Sequence, residues 1–177
     1  MTAATIPRPD ASEYAPYYGT YVSKVPQGDL LLTLERQRQE TQALLAGLSD
    51  AQALHRYAPG KWSIKEVIGH LGDAERILSY RALRFAREDR APLAAFDENA
   101  YVPAGRFDAR ALSDLAAEFD AVRRATITLF RGMDPGAFAR RGTASDHEVS
   151  VRALAYIIAG HERHHVMILR ERYLTKP

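Results

Sequence analysis

Leu154-Ala155-Tyr156-Ile157-Ile158-Ala159-Gly160-His161-Glu162-Arg163-His164-His165-Val166-Met167-Ile168 is the stretch that decides the fold. Leu154, Ile157, Ile158, His161, His165 and Ile168 fall at offsets 0, 3, 4, 7, 11 and 14, which is one face of an α-helix. Two imidazoles therefore interrupt an apolar core stripe. At about 100° per residue they lie about 40° apart, one turn along the axis. That i, i+4 pairing lets two rings converge on one ion, as in helix-borne zinc sites. Ser150 is placed to cap this helix, which is expected to run to about Tyr173.

Upstream, Ser63-Ile64-Lys65-Glu66 reads as a capping box. The helix it opens is expected to reach about Glu88, with Ile64, Val67, Leu71, Ala74, Leu78 and Phe85 as its stripe. His70 lies in angle between Val67 and Ala74, beside that stripe. Alone, it reads as a satisfied core histidine. The pair on the last helix changes the weighing. Two buried imidazoles each lose water and need a partner, at a cost of about a few kcal/mol without one. One divalent ion held by His70, His161 and His165 resolves this for all three.

Two further helices complete the set. One is expected over Asp29–Ala46, capped by Asp29, stopped by Gly47 and followed by a short turn over Ser49–His55. The other is expected from the cap Ser113 to Gly132 or Met133, with Leu115, Phe119, Val122, Thr126, Leu129 and Phe130 facing inward. Residues 89–112, with Pro92, Pro103 and Gly105, read as a long connection without a period. No strand pattern, repeat or low-complexity segment is visible. The class is all-α, a four-helix bundle.

Ligand depth fixes the expected order. His70 lies about 10 Å from the start of its helix and His165 about 12 Å from the end of its own, at 1.5 Å per residue. The levels match only if these helices run antiparallel. Parallel helices would leave a gap of about 6–12 Å, too wide for bonds near 2 Å. The link between the second and third helices can span about 79 Å extended, against about 38 Å for a long helix. It can thus cross over the bundle, giving up-down-down-up order.

Residues 1–28 hold four of the nine prolines together with Tyr14, Tyr17, Tyr18 and Tyr21. Disordered tails are poor in aromatics, so this segment is read as an extended N-terminal arm docked on a bundle of residues 29–177. The chain has 24 basic and 22 acidic residues with no long run of one sign, which argues against nucleic-acid binding. No apolar stretch approaches the ~20 residues of a membrane span. The N-terminus shows no signal-peptide pattern, and a cytoplasmic location is expected. The absence of cysteine excludes disulfides, thiolate metal sites and a cysteine nucleophile.

The segments Pro59-Gly-Lys-Trp-Ser-Ile-Lys-Glu-Val-Ile-Gly-His-Leu-Gly-Asp-Ala-Glu-Arg76 and Ala155-Tyr-Ile-Ile-Ala-Gly-His-Glu-Arg-His-His165 resemble the second and last helices of the DinB-like superfamily, the DinB/YfiT-like metalloenzymes. The resemblance implies a metal set of His70, His161 and His165, with nickel or zinc as the divalent ion. It implies a thiol-dependent S-transferase, an isomerase or a hydrolase. The expected activity is activation of a thiol or water for S-transfer or hydrolysis on a small molecule. With no cysteine in the chain, any thiol would be a low-molecular-weight cofactor. The alternative is a non-catalytic bundle that binds metal or a stress-related ligand. The resemblance also implies a homodimer, which apolar positions such as Leu83 and Leu112 would permit.

Other residues carry weaker expectations. His161-Glu162-Arg163-His164-His165 fits the H-E-x-x-H string of zinc proteases, but no histidine follows as a third ligand. His164 is expected to flank the site, while His55 and His147 sit in connections. Asp73, one turn after His70, is a candidate to orient a ligand or a solvated residue. Trp62 is expected to anchor packing, and Phe96, Asp97, Asn99 and Tyr101 to rim a pocket.

Overall fold

The computed structural model describes residues 5–174. Its helices are α1 (Gly19–Val22), α2 (Leu30–Ala46), α3 (Asp50–Ala53), α4 (Ile64–Ala86), α5 (Glu98–Gly105), α6 (Leu112–Arg131) and α7 (Val151–Ile168). The four long ones, α2, α4, α6 and α7, form the bundle. Local chemistry starts three of them where the sequence indicates. Asp29 accepts from the amides of Leu31 and Leu32. Ser63 and Glu66 make the reciprocal capping box, at 3.0 and 2.9 Å. Ser150 accepts from the Ala153 amide.

The third long helix departs from expectation. Ser113 does not cap it; α6 begins at Leu112, whose amide donates to Asp50 Oδ1 at 2.9 Å. A carboxylate from α3, distant in sequence, replaces the local cap. At the other extreme of the chain, α7 loosens after Ile168 into a wider turn over Leu169–Tyr173, closed by a bond from the Leu174 amide to the Leu169 carbonyl.

Two hydrophobic clusters give the helix directions. One gathers Leu30 and Leu34 of α2, Leu78 and Phe85 of α4, Ile127 and Phe130 of α6, and Leu154 and Ile157 of α7. The other gathers Leu45, then Ile64 and Leu71, then Leu115 and Phe119, then Leu169 and Tyr173. Starts of α2 and α7 thus share an end with the finishes of α4 and α6. The helices α2 and α7 run one way, α4 and α6 the other.

Arg123 of α6 lies inside this bundle with 0% exposure. It holds Glu75 of α4 through two bonds of 2.8 Å, Glu162 of α7 at 2.5 Å, and the Leu34 carbonyl of α2 at 3.3 Å. Thr41 of α2 donates to Glu162 at 2.7 Å. One guanidinium therefore ties all four long helices. Burying it is costly unless its carboxylates stay in place.

The absence of strands is corrected: β1 (Arg141–Ala144) and β2 (His147–Ser150) form an antiparallel hairpin pairing Arg141 with Ser150 and Ala144 with His147. Leu93 adds a parallel bridge to Ala144. Ser145 and Asp146 turn the hairpin at φ 51° and 62°. Asn-Gly or Asp-Gly is the usual signal for that conformation, and four-residue strands leave little alternation to read. The 89–112 connection also holds α5, capped by Asp97.

The N-terminal segment is wound rather than extended, with short helical turns at Ala11–Glu13 and Pro16–Tyr18 leading into α1. Ile6, Tyr21, Val22 and Val25 are buried in the first core cluster. Glu13 pairs with Arg152 and accepts from Ser150 Oγ at 2.7 Å. Burial alone would raise the Glu13 carboxyl; hydrogen bonds from Arg152, Ser150 and the Asp10 amide outweigh it and bring the pKa down to about 2. Leu112 is buried in the second cluster, so it offers no outer surface to a second copy. Among the described residues, no helix is long and apolar enough to cross a membrane.

Candidate metal centre

His70 stands on α4 two turns past its cap, and His161 and His165 stand in the second half of α7. Because these helices run in opposite directions, the three rings meet. His70 Nε2 lies 3.0 Å from His161 Nε2, which lies 3.1 Å from His165 Nε2. One ligand atom from each histidine fits within 4.8 Å of the others. Nitrogens bonded at about 2.1 Å to one ion stand about 3.0 Å apart at right angles and about 3.4 Å apart at tetrahedral angles. The observed spacings fall in that range.

Proton inventory favours an ion too. A neutral imidazole has one N–H and one in-plane lone pair. His161 Nε2 can therefore satisfy one of its two neighbours, not both. A divalent cation satisfies all three nitrogens, so the residues present fit such an ion.

Electrostatics prepares the rings for that role. Burial lowers the His70 pKa to about 4. Burial, then the neighbouring His70 and His164, lowers that of His165 to about 3. His161 is pushed well below the usual histidine value by burial and then by the other histidines. All three are neutral near pH 7, the form in which imidazole binds metal.

The histidines floor a cavity of about 290 Å³. Trp62 packs its ring 4.9 Å from that of His70, and Tyr21 packs edge-on 5.2 Å from that of His161. Tyr17 and Tyr18 come from the same N-terminal segment as Tyr21, while Phe96 and Glu98 come from the connection before α6. His164 lines the cavity beside Tyr21, with rings 5.4 Å apart. Of the four connection residues expected at the rim, Phe96 lines this cavity, whereas Asp97 is the cap of α5. Tyr101 packs instead against the ring of Phe96, tilted, with centroids 5.6 Å apart.

Other expectations resolve by contact. Asp73 faces Arg76 at 3.8 Å and makes no hydrogen bond to His70 among the described residues. The Glu162 carboxylate is taken by Thr41 and Arg123, so the H-E-x-x-H string does not aim its acid at the histidines. His55 and His147 are exposed and do not join the trio. Sequence reasoning missed Glu98, Ser145 and the tyrosine wall. The tyrosines marked a docked segment, yet nothing in their spacing told where it docks.

Among solved structures, the chain is similar to YfiT from Bacillus subtilis, with a TM-score of 0.73 at 17% identity over 92% of this chain and 89% of that one. YfiT is described as a probable metal-dependent hydrolase with an unusual four-helix bundle topology. No protein of curated function matches the sequence. The profile of the DinB superfamily matches residues 33–169, a span that includes all three histidines, and the chain belongs to that superfamily.

Proposed function

We propose that the protein is a metal-dependent enzyme acting on a small molecule, with hydrolysis as its leading reaction. The observation that carries this reading is the convergence of three neutral imidazole nitrogens on the floor of an aromatic cavity. A divalent ion bound there lowers the pKa of a coordinated water or thiol into the neutral range. Nickel or zinc suits an all-imidazole set. His70, His161 and His165 hold the ion; the rings of Trp62 and Tyr21 fix the orientation of His70 and His161 and keep water from their flanks. At about 290 Å³ the cavity is at the small end for ligand sites, which suits a small molecule and not a polypeptide.

Similarity to YfiT supports hydrolysis. Transfer of a thiol is the second reading: the chain has no cysteine, so a low-molecular-weight thiol would bind beside the histidines. The test is a screen of zinc- and nickel-loaded protein against small esters, amides and thiol acceptors. Hydrolysis without added thiol supports the leading reading. Turnover that requires a thiol supports the second, and none with either contradicts both.

A further inference from the structure

Among the side chains that line the cavity, Glu98 is the one carboxylate. It sits in the first turn of α5, half-buried, and makes no ion pair or hydrogen bond among the described residues. A carboxylate with no partner in the protein can take a cationic one. The rings of Tyr17, Tyr18, Tyr21, Trp62 and Phe96 line the same space. Aromatic faces attract cations. No lysine or arginine side chain lines the cavity. Arg81 acts from behind: it stands 5.9 Å from the Phe96 ring centroid and is already committed to the Ala94 carbonyl at 2.7 Å and Ser145 Oγ at 3.1 Å.

These features give one cavity two unlike sets of groups. The histidines offer a place for a reacting group. Glu98 and the rings offer a place for positive charge. We propose that the substrate is a small organic cation, an amine or quaternary ammonium compound. Its charge faces Glu98 among the aromatic rings, and its reactive end reaches the histidines. This rests on reading the cavity as the substrate site.

Trp62 is the only tryptophan, and its ring packs on His70, so its fluorescence reports on the cavity directly. Choline and 3,3-dimethylbutan-1-ol have the same shape and differ in charge. In the zinc-loaded full-length protein, choline is expected to bind at least about tenfold more tightly than its neutral isostere. Glu98→Gln is expected to remove most of that advantage while leaving the affinity for the isostere and the zinc content unchanged. Equal binding of the two probes, or a choline advantage that survives Glu98→Gln, overturns the proposal but leaves the cavity as a ligand site. Zinc bound at one per chain with no response to either probe overturns the reading of the cavity as well. The wild-type ratio decides even where the variant does not fold.

Discussion

Gly160 of α7 faces the backbone of Tyr21 so closely that a Cβ there would stand 2.1 Å from the Tyr21 carbonyl oxygen. The missing side chain is what lets α1 lie against α7, and with it the tyrosine wall of the cavity. On helix propensity alone, Gly160→Ala would stabilise the protein by about 1 kcal/mol. The clash reverses the sign: a net loss of about 1–3 kcal/mol is expected. Gly72 on α4 serves as the control, because its nearest foreign atom is the flexible Arg76 guanidinium at 3.8 Å. Gly72→Ala is expected to stabilise by about 0.5–1 kcal/mol. Urea unfolding of the two variants checks both signs, and limited proteolysis of Gly160→Ala should cut the N-terminal segment first.

Arg123 carries a second prediction. Arg123→Met keeps the volume but strands Glu75 and Glu162 as buried, uncompensated carboxylates. A loss of about 3–5 kcal/mol is expected by denaturant unfolding. Adding Glu75→Gln and Glu162→Gln should recover part of it, because the stranded charge is then gone. A loss under about 1 kcal/mol for the single variant contradicts the role given to this network.

Glu13 gives a pH signature. Its folded pKa of about 2 lies below the ordinary 4.5. A depressed carboxyl contributes stability that is complete above the unfolded value and disappears as pH falls through the folded one. Wild type should therefore exceed Glu13→Gln by about 1–3 kcal/mol near pH 6. The gap should shrink between pH 4.5 and 2. Thermal melts across that range check it; a gap that widens on acidification contradicts the assignment.

Much of this architecture is legible along the chain because its signals are local. Ser63 and Glu66 cap a helix with residues three apart, and His161 and His165 share a face by spacing alone. Ligand depth carried further, since His70 reaches the pair only when α4 and α7 oppose one another. What escaped reading depends on contacts remote in sequence. Asp50 caps α6 from another helix, so Ser113 looked like the cap. Ser145-Asp146 turns a hairpin without glycine, anchored by Leu93 from a distant connection. Tyr21 reaches His161 through the space at Gly160, and no pattern within residues 1–28 points to that partner. Glu98 lies in a connection that shows no period, so nothing marks it until the fold sets it in the cavity.

The central claim is that His70, His161 and His165 hold one divalent ion together. Elemental analysis and zinc titration of tag-free protein test it most directly, on wild type and on His70→Ala, His161→Ala and His165→Ala. About one ion per wild-type chain is expected, with affinity lowered at least about tenfold in each variant while the fold, followed by circular dichroism, persists. Wild-type protein that binds no divalent ion, or a His70→Ala variant that binds it as tightly as wild type, would contradict the three-histidine centre.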